Sequence, residues 1–183
     1  MNARMIAMAA VVLFLTLRQP AKAAGPCNAI GAELDGDEME LIRLVNQYRV
    51  AEGEQPLIVS RTLNRAAAWM AEDLASHNYF SHTDSLGRMP YERAIDCGYP
   101  NGAGENLAAG MQLESPAAVL AAWQASPGHN DNMLRGYAVI GVARSYGGPY
   151  GAYWATSYGY QLDAQPAPLF HRRVLPALAR GGE

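Results

Sequence analysis

Ala138-Val139-Ile140-Gly141-Val142-Ala143-Arg144-Ser145-Tyr146 and Tyr153-Trp154-Ala155-Thr156-Ser157-Tyr158-Gly159-Tyr160 set the architecture expected of this chain. Both stretches are rich in β-branched and aromatic residues, which suit a pleated, half-buried surface. Gly147-Gly148-Pro149-Tyr150-Gly151 joins them, and its glycines permit a hairpin whose loop exceeds two residues. Upstream, the only other strand signal is the apolar run Leu57-Ile58-Val59 after Pro56, which reads as a short buried strand.

The remaining apolar residues repeat at helical spacing. Asp35 or Asp37 is placed to cap a first helix, along which Met39, Ile42, Val45 and Arg49 share a face with Leu41, Leu44 and Tyr48 beside it; Gly53 is its stop. Ser60 caps a second helix carrying Leu63, Ala66, Ala67, Met70 and Leu74. Residues 77–110 read as loop-rich, with one short helix over residues 90–97 that opens on Pro90. Ser115-Pro116 opens another helix with Val119, Leu120 and Trp123 on one side, and Ser126-Pro127-Gly128 starts a further helical turn through Met133. Helices first, one early strand and a late hairpin predict an α/β fold, a small and mostly antiparallel sheet covered by helices on both faces.

The 183 residues carry 14 basic and 17 acidic side chains. That length fits one domain with short appendages. Residues 1–23 read as a signal peptide, with Arg4 in a short positive start, an apolar run over residues 5–17, and Ala21-Lys22-Ala23 as the cleavage site. The apolar run is too short to span a bilayer, which needs about 20 residues. A proline just before Cys27 argues against lipoprotein processing. Cleavage removes Arg4, Arg18 and Lys22 and no acid, moving the net charge from −3 to −6. Nucleic acid is therefore not an expected partner. Lys22 is the only lysine, so the exported chain has none for Schiff-base chemistry or a Walker-type phosphate loop. Residues 24–35 then form an N-terminal extension, residues 36–161 the domain, and residues 162–183 a poorly ordered tail with the Arg172-Arg173 pair. In an oxidising compartment Cys27 and Cys97 read as one disulfide, with two independent thiols as the alternative.

Three segments carry residues competent for chemistry at the ends of predicted elements: Asn78-Tyr79-Phe80-Ser81-His82, Gly104-Glu105-Asn106-Leu107-Ala108 and Ser126-Pro127-Gly128-His129. Two imidazoles and a carboxylate suit zinc or another divalent metal, and equally a general acid/base set. Singly, each of His82 and His129 also reads as a surface or hydrogen-bonded structural histidine, and Glu105 as a carboxylate that holds its loop by accepting backbone N–H bonds.

Taken together, these segments resemble the CAP superfamily (cysteine-rich secretory proteins, antigen 5 and pathogenesis-related 1), in its bacterial YkwD-like branch. Leu44-Val45-Asn46-Gln47-Tyr48-Arg49, Phe80-Ser81-His82-Thr83-Asp84, Gly104-Glu105-Asn106-Leu107-Ala108, Trp123-Gln124-Ala125-Ser126-Pro127-Gly128-His129 and Ile140-Gly141-Val142 carry the resemblance. It implies a three-layer α-β-α sandwich with a central cleft lined by two histidines and two acids. Three of the four fall on His82, Glu105 and His129. The fourth acid is replaced by Ser126, and the late strand departs from the family's Y-W-T-Q pattern at Ala155-Thr156-Ser157, where Thr156 or Ser157 would face the cleft.

The signal peptide makes the chain a secreted or periplasmic protein, expected as a monomer, and the resemblance implies that it binds a small apolar, lipid-like ligand or a cell-envelope component. A divalent metal would sit between His82 and His129, with Glu105 and Ser126 behind it. Tyr79, Phe80, Trp123, Tyr153 and Trp154 would wall the groove or belong to the core. A second reading is a zinc-dependent hydrolase of peptides or envelope polymers with Glu105 as base; the serine at 126 weighs against it. A third is a structural envelope protein without activity.

Overall fold

The computed structural model describes residue 27, residues 33–101 and residues 104–163. The expected signal peptide and the tail beyond Asp163 lie outside the described residues. In chain order the elements are α1 (Gly36–Ala51), β1 (Ile58–Val59), α2 (Arg61–His77), α3 (Pro90–Asp96), β2 (Gly104–Ala109), a 3-10 turn (Met111–Leu113), α4 (Pro116–Gln124), α5 (Pro127–Leu134), β3 (Val139–Gly147) and β4 (Gly151–Gly159). The caps expected from sequence form. The Asp35 carboxylate accepts from Glu38 N at 2.7 Å while Glu38 accepts from Asp35 N at 2.8 Å, a reciprocal box. Ser60 Oγ accepts from Leu63 N at the head of α2. The second helix ends at Asn78, whose φ of 58° is the left-handed turn that asparagine tolerates.

The sheet runs β1-β3-β4-β2. β3 and β4 form the expected hairpin, β2 adds antiparallel to β4, and β1 pairs parallel to β3. The fold is the α-β-α sandwich anticipated. One face packs on α1, α4 and α5 through Leu41, Val45, Val119, Trp123, Ile140, Val142, Trp154 and Tyr158. The other packs on α2 through Ala67, Met70, Leu74, Leu107, Tyr153 and Ala155, with α3 beside it. Alternation along each strand divides the side chains between the two layers. β3 comes so close to α2 that Gly141 has no room for a side chain, since a Cβ there would overlap the backbone of Leu63 and Asn64.

Three expectations are corrected. Residues 104–109 are a strand and not a loop, because pairing with β4 satisfies a segment whose glycine and asparagine had argued for irregular structure. The early strand is two residues long, and both are open: Ile58 is 58% and Val59 42% exposed, with only Leu57 buried. Met39 lies outside the α1 core face, which is made by Leu41, Ile42, Val45 and Arg49.

Polar side chains finish what the short elements leave unpaired. Asn46 of α1 takes both outward groups of Leu57, accepting from its N–H at 2.7 Å and donating to its carbonyl at 2.9 Å. Arg49, wholly buried, donates to the carbonyls of Gln55, Met133, Arg135 and Tyr137 and so ties α1 to the exit of α5. Along β3 the N–H of Val142 donates to Asn64 Oδ1 and that of Arg144 to Glu38 Oε1. Cys27 and Cys97 are bridged, with Cα atoms 5.2 Å apart, inside the range a disulfide needs. Asp163 accepts from Ser60 Oγ, Thr62 N and Thr62 Oγ1, so the chain is still held to the head of α2 two residues past the expected domain end.

Candidate functional site

His82 stands on residues 79–89, which leave α2 and return to α3, and two buried carboxylates brace this segment. Asp84 accepts from Trp69 Nε1, Leu86 N, Arg88 N and Arg88 Nε. Asp73 accepts from Ser85 N, Ser85 Oγ and the Tyr79 hydroxyl. Burial pushes the Asp73 carboxyl up, but the bonds from Ser85 and Tyr79 outweigh it and hold its pKa below the ordinary carboxylate value. The half-exposed His82 ring is thus carried on a fastened support.

Glu105, the second residue of β2, points to the α2–α3 layer. Its Oε1 lies 2.7 Å from His82 Nδ1, and its Oε2 accepts from Arg93 Nη2. The glutamate and arginine side chains are 2% and 1% exposed, so this ion pair is dry. Arg93 also donates from Nη1 to the carbonyls of His82 (2.9 Å) and Arg88 (2.7 Å). An Nδ1–H donated to a carboxylate leaves the His82 Nε2 lone pair free on the open side of the ring, the arrangement that commonly lies behind a metal-binding histidine.

Asn106, the next residue, points to the opposite layer. Its Nδ2 donates to the carbonyl of His129 at 2.9 Å, and its Oδ1 accepts from Asn132 Nδ2 at 3.0 Å. Asn132 also donates to the Glu105 carbonyl. Together they seat α5 against the free edge of β2, where Trp123 Nε1 in addition donates to the Leu107 carbonyl. His129 is therefore fixed by its backbone, its ring tilted 51° to that of Trp123 at 6.4 Å. Burial, and after it the charge of His82, lower the His129 pKa below the ordinary imidazole value.

Ser126 occupies the N-cap position of α5, half-buried, with no capping bond from its hydroxyl; its carbonyl accepts from Asn130 N. Thr156 and Ser157 are buried in β4, Thr156 bonded to the Asn106 carbonyl. Of the aromatic residues expected to wall a groove, Trp123, Tyr153 and Trp154 belong to the core, Tyr79 is half-buried, and Phe80 is exposed, 6.4 Å from the Tyr150 ring. A separate cleft of about 440 Å³ beside β1, lined by residues including Arg49, Glu54, Ile58 and Tyr137, contains none of the expected site residues.

The donor set bears on a metal directly. Both Glu105 oxygens are engaged, and among the described residues no three His, Cys, Asp or Glu side chains converge on one point. Of the expected site residues, that leaves the imidazoles of His82 and His129 as the candidates to hold an ion.

Residues 42–158 match the family profile described as the cysteine-rich secretory protein family, CAP. The chain belongs to the CAP family. The match covers every residue of this site. A curated relative, the protein YkwD of Bacillus subtilis (strain 168), is 33% identical over 108 residues, covering 57% of this chain and 41% of its own length. The chain thus spans less than half of that relative. Among solved structures, an outer surface protein of Borrelia burgdorferi superposes with a TM-score of 0.62 at 23% identity, over 72% of this chain and 99% of its own. An extracellular SCP-domain protein of Bacillus anthracis str. Ames gives 0.59 at 25% identity, over 68% and 40%. Sequence reasoning alone passed over three parts of the CAP site. Arg93 was hidden because a charged residue on a seven-residue helix reads as solvated. Asn132 and the role of Asn106 depend on how α5 meets β2, which no local pattern encodes.

Proposed function

We propose that this CAP protein is an exported binding module. Its cleft takes a divalent cation between His82 and His129, and a small apolar, lipid-like ligand or envelope component against the surface around them. The observation that carries the reading is the bond from His82 to Glu105, which leaves Nε2 unbound, while the neighbouring Asn106 holds the backbone of His129. Ser126, three residues before His129 at the head of α5, would supply a hydroxyl to orient a water on the cation. The ion would supply Lewis acidity and a fixed positive charge for a polar ligand group. Exposed Phe80, Met89 and Tyr150 give an apolar surface near the His82 segment, Met89 Sδ accepting from Thr83 Oγ1. Export is supported by residues 1–23 and by relatives described as extracellular or outer-surface proteins. Among the described residues no helix is long and apolar enough to cross a membrane.

A hydrolase using Glu105 as base is the weaker reading, because that carboxylate is buried and already engaged by the Arg93 guanidinium and the His82 ring. Zinc calorimetry near neutral pH, comparing the wild type with His82→Ala and His129→Ala, tests the proposal. Binding at about micromolar Kd or tighter, roughly −8 kcal/mol, that both variants abolish while staying folded is the expected result. No zinc uptake by the wild type sinks the cation site.

A further inference from the structure

We propose that Arg93 is the positioning residue of this site: it sets the direction in which His82 presents its free nitrogen. The inference rests on the cation-site reading but is observable without a metal.

A glutamate side chain at the start of an edge strand has three rotatable bonds out to its carboxylate. It would ordinarily be free to turn toward water. Here the guanidinium removes that freedom. Nη2 takes Oε2, which leaves Oε1 facing His82 Nδ1. Nη1 takes the carbonyls of His82 and Arg88, so the same group that fixes the acceptor also fixes the backbone from which the ring hangs. Imidazole, carboxylate, guanidinium and the His82 carbonyl close into one ring of contacts. Arginine's planar fork can make these bonds at once; a lysine ammonium is a point charge without that geometry. The helix that carries Arg93 is tethered in turn, since Cys97 follows it directly and is bridged to Cys27.

Arg93 touches neither the cleft nor His129 in any bond described above. Its effect on binding would pass through Glu105 and His82. A free imidazole favours the proton on Nε2, so a ring carrying it on Nδ1 is the signature of the Glu105 contact.

The test is a long-range ¹H–¹⁵N correlation spectrum of the metal-free protein at about pH 8.5, two units above the ordinary imidazole pKa. It is recorded for the wild type, Arg93→Gln and Arg93→Lys and paired with zinc calorimetry on each. The wild-type His82 ring is expected as the Nδ1–H tautomer. In Arg93→Gln the Nε2–H form becomes the majority and zinc affinity falls about 10- to 100-fold, the range for losing a group that supports a metal ligand. Arg93→Lys, which keeps the charge, falls between the two.

A wild-type ring protonated on Nε2 overturns the proposal without any variant. So does a folded Arg93→Gln that keeps the wild-type tautomer and affinity. If Arg93→Gln does not fold, the Arg93→Lys spectrum decides: an unchanged tautomer and affinity overturn the proposal, and a mixed tautomer supports it. If the wild type binds no zinc, the cation-site reading fails alone, and the tautomers still decide the role of Arg93.

Discussion

Glu105 and Asn106 are neighbours on an edge strand, point to opposite faces of the sheet, and each holds one of the two histidines. Glu105 grips the His82 ring from the α2–α3 side; Asn106 grips the His129 backbone from the side of α5. The two-residue step of a strand is what lets one dipeptide reach both layers.

That division predicts separable damage. Asn106→Ala leaves the His129 carbonyl and the Asn132 amide short of a partner. It should cost about 1–3 kcal/mol in urea unfolding, with the His82 ring resonances unmoved. Glu105→Leu strands a buried guanidinium, for which about 3–5 kcal/mol is expected, and shifts the His82 resonances while sparing those of Asn132.

Gly141→Ala tests the closest approach in the core. The added methyl overlaps α2 backbone, which cannot move aside as a flexible side chain would. A loss of about 3 kcal/mol is expected, at the upper end for overpacking. The same substitution at Gly128, where a Cβ meets nothing, should cost far less. Thermal melts of the two variants side by side make the comparison.

Acid should loosen this domain through specific carboxylates. For Asp73 and Asp163 burial raises the pKa, but hydrogen bonds from Ser85 and Tyr79, and from Ser60 and Thr62, more than offset it and leave both lowered. A lowered folded-state pKa gives stability that is complete above the unfolded value, near about 3.9, and is lost as pH falls through the folded one. Glu38, raised by burial, works in the opposite direction. Melting temperature measured from about pH 7 to pH 2 should fall on the acid side, and Asp73→Asn should flatten that limb.

Reduction of the Cys27–Cys97 bridge opens a loop spanning 70 positions. The chain-entropy relation assigns such a loop about 4 kcal/mol. A urea midpoint that drops accordingly in dithiothreitol, and does not drop in a Cys27→Ser/Cys97→Ser double variant, is the expected pattern.

Much of this could be read from the sequence, because the helices carry an apolar face and a recognisable start, and the late hairpin a run of β-branched and aromatic residues about a glycine-rich turn. Ser60, Pro90, Ser115 and Pro127 begin their helices as their chemistry requires. β2 reads as loop in the sequence because Gly104-Glu105-Asn106 has little intrinsic preference for strand; pairing to β4 imposes it. His82, Glu105 and His129 were picked out as a set by the resemblance of their segments, since residues 23 and 24 positions apart share no local period. The contacts that fix them were out of reach. Arg93 and Asn132 act across layers, and a one-dimensional pattern records neither the depth of a side chain nor its partner.

The side chains that finish the sheet have a consequence for the molecule in company. Asn46 occupies Leu57, Asn64 and Glu38 occupy the outer amides of β3, and Trp123 and Asn132 occupy the carbonyls of β2. An unguarded strand edge invites another chain to add to it and so begins aggregation. Each of these guards is an amide, a carboxylate or an indole already spent on the sheet's own backbone. A second copy arriving strand-first would have to displace it at that position, so crowding meets a border partly closed from within.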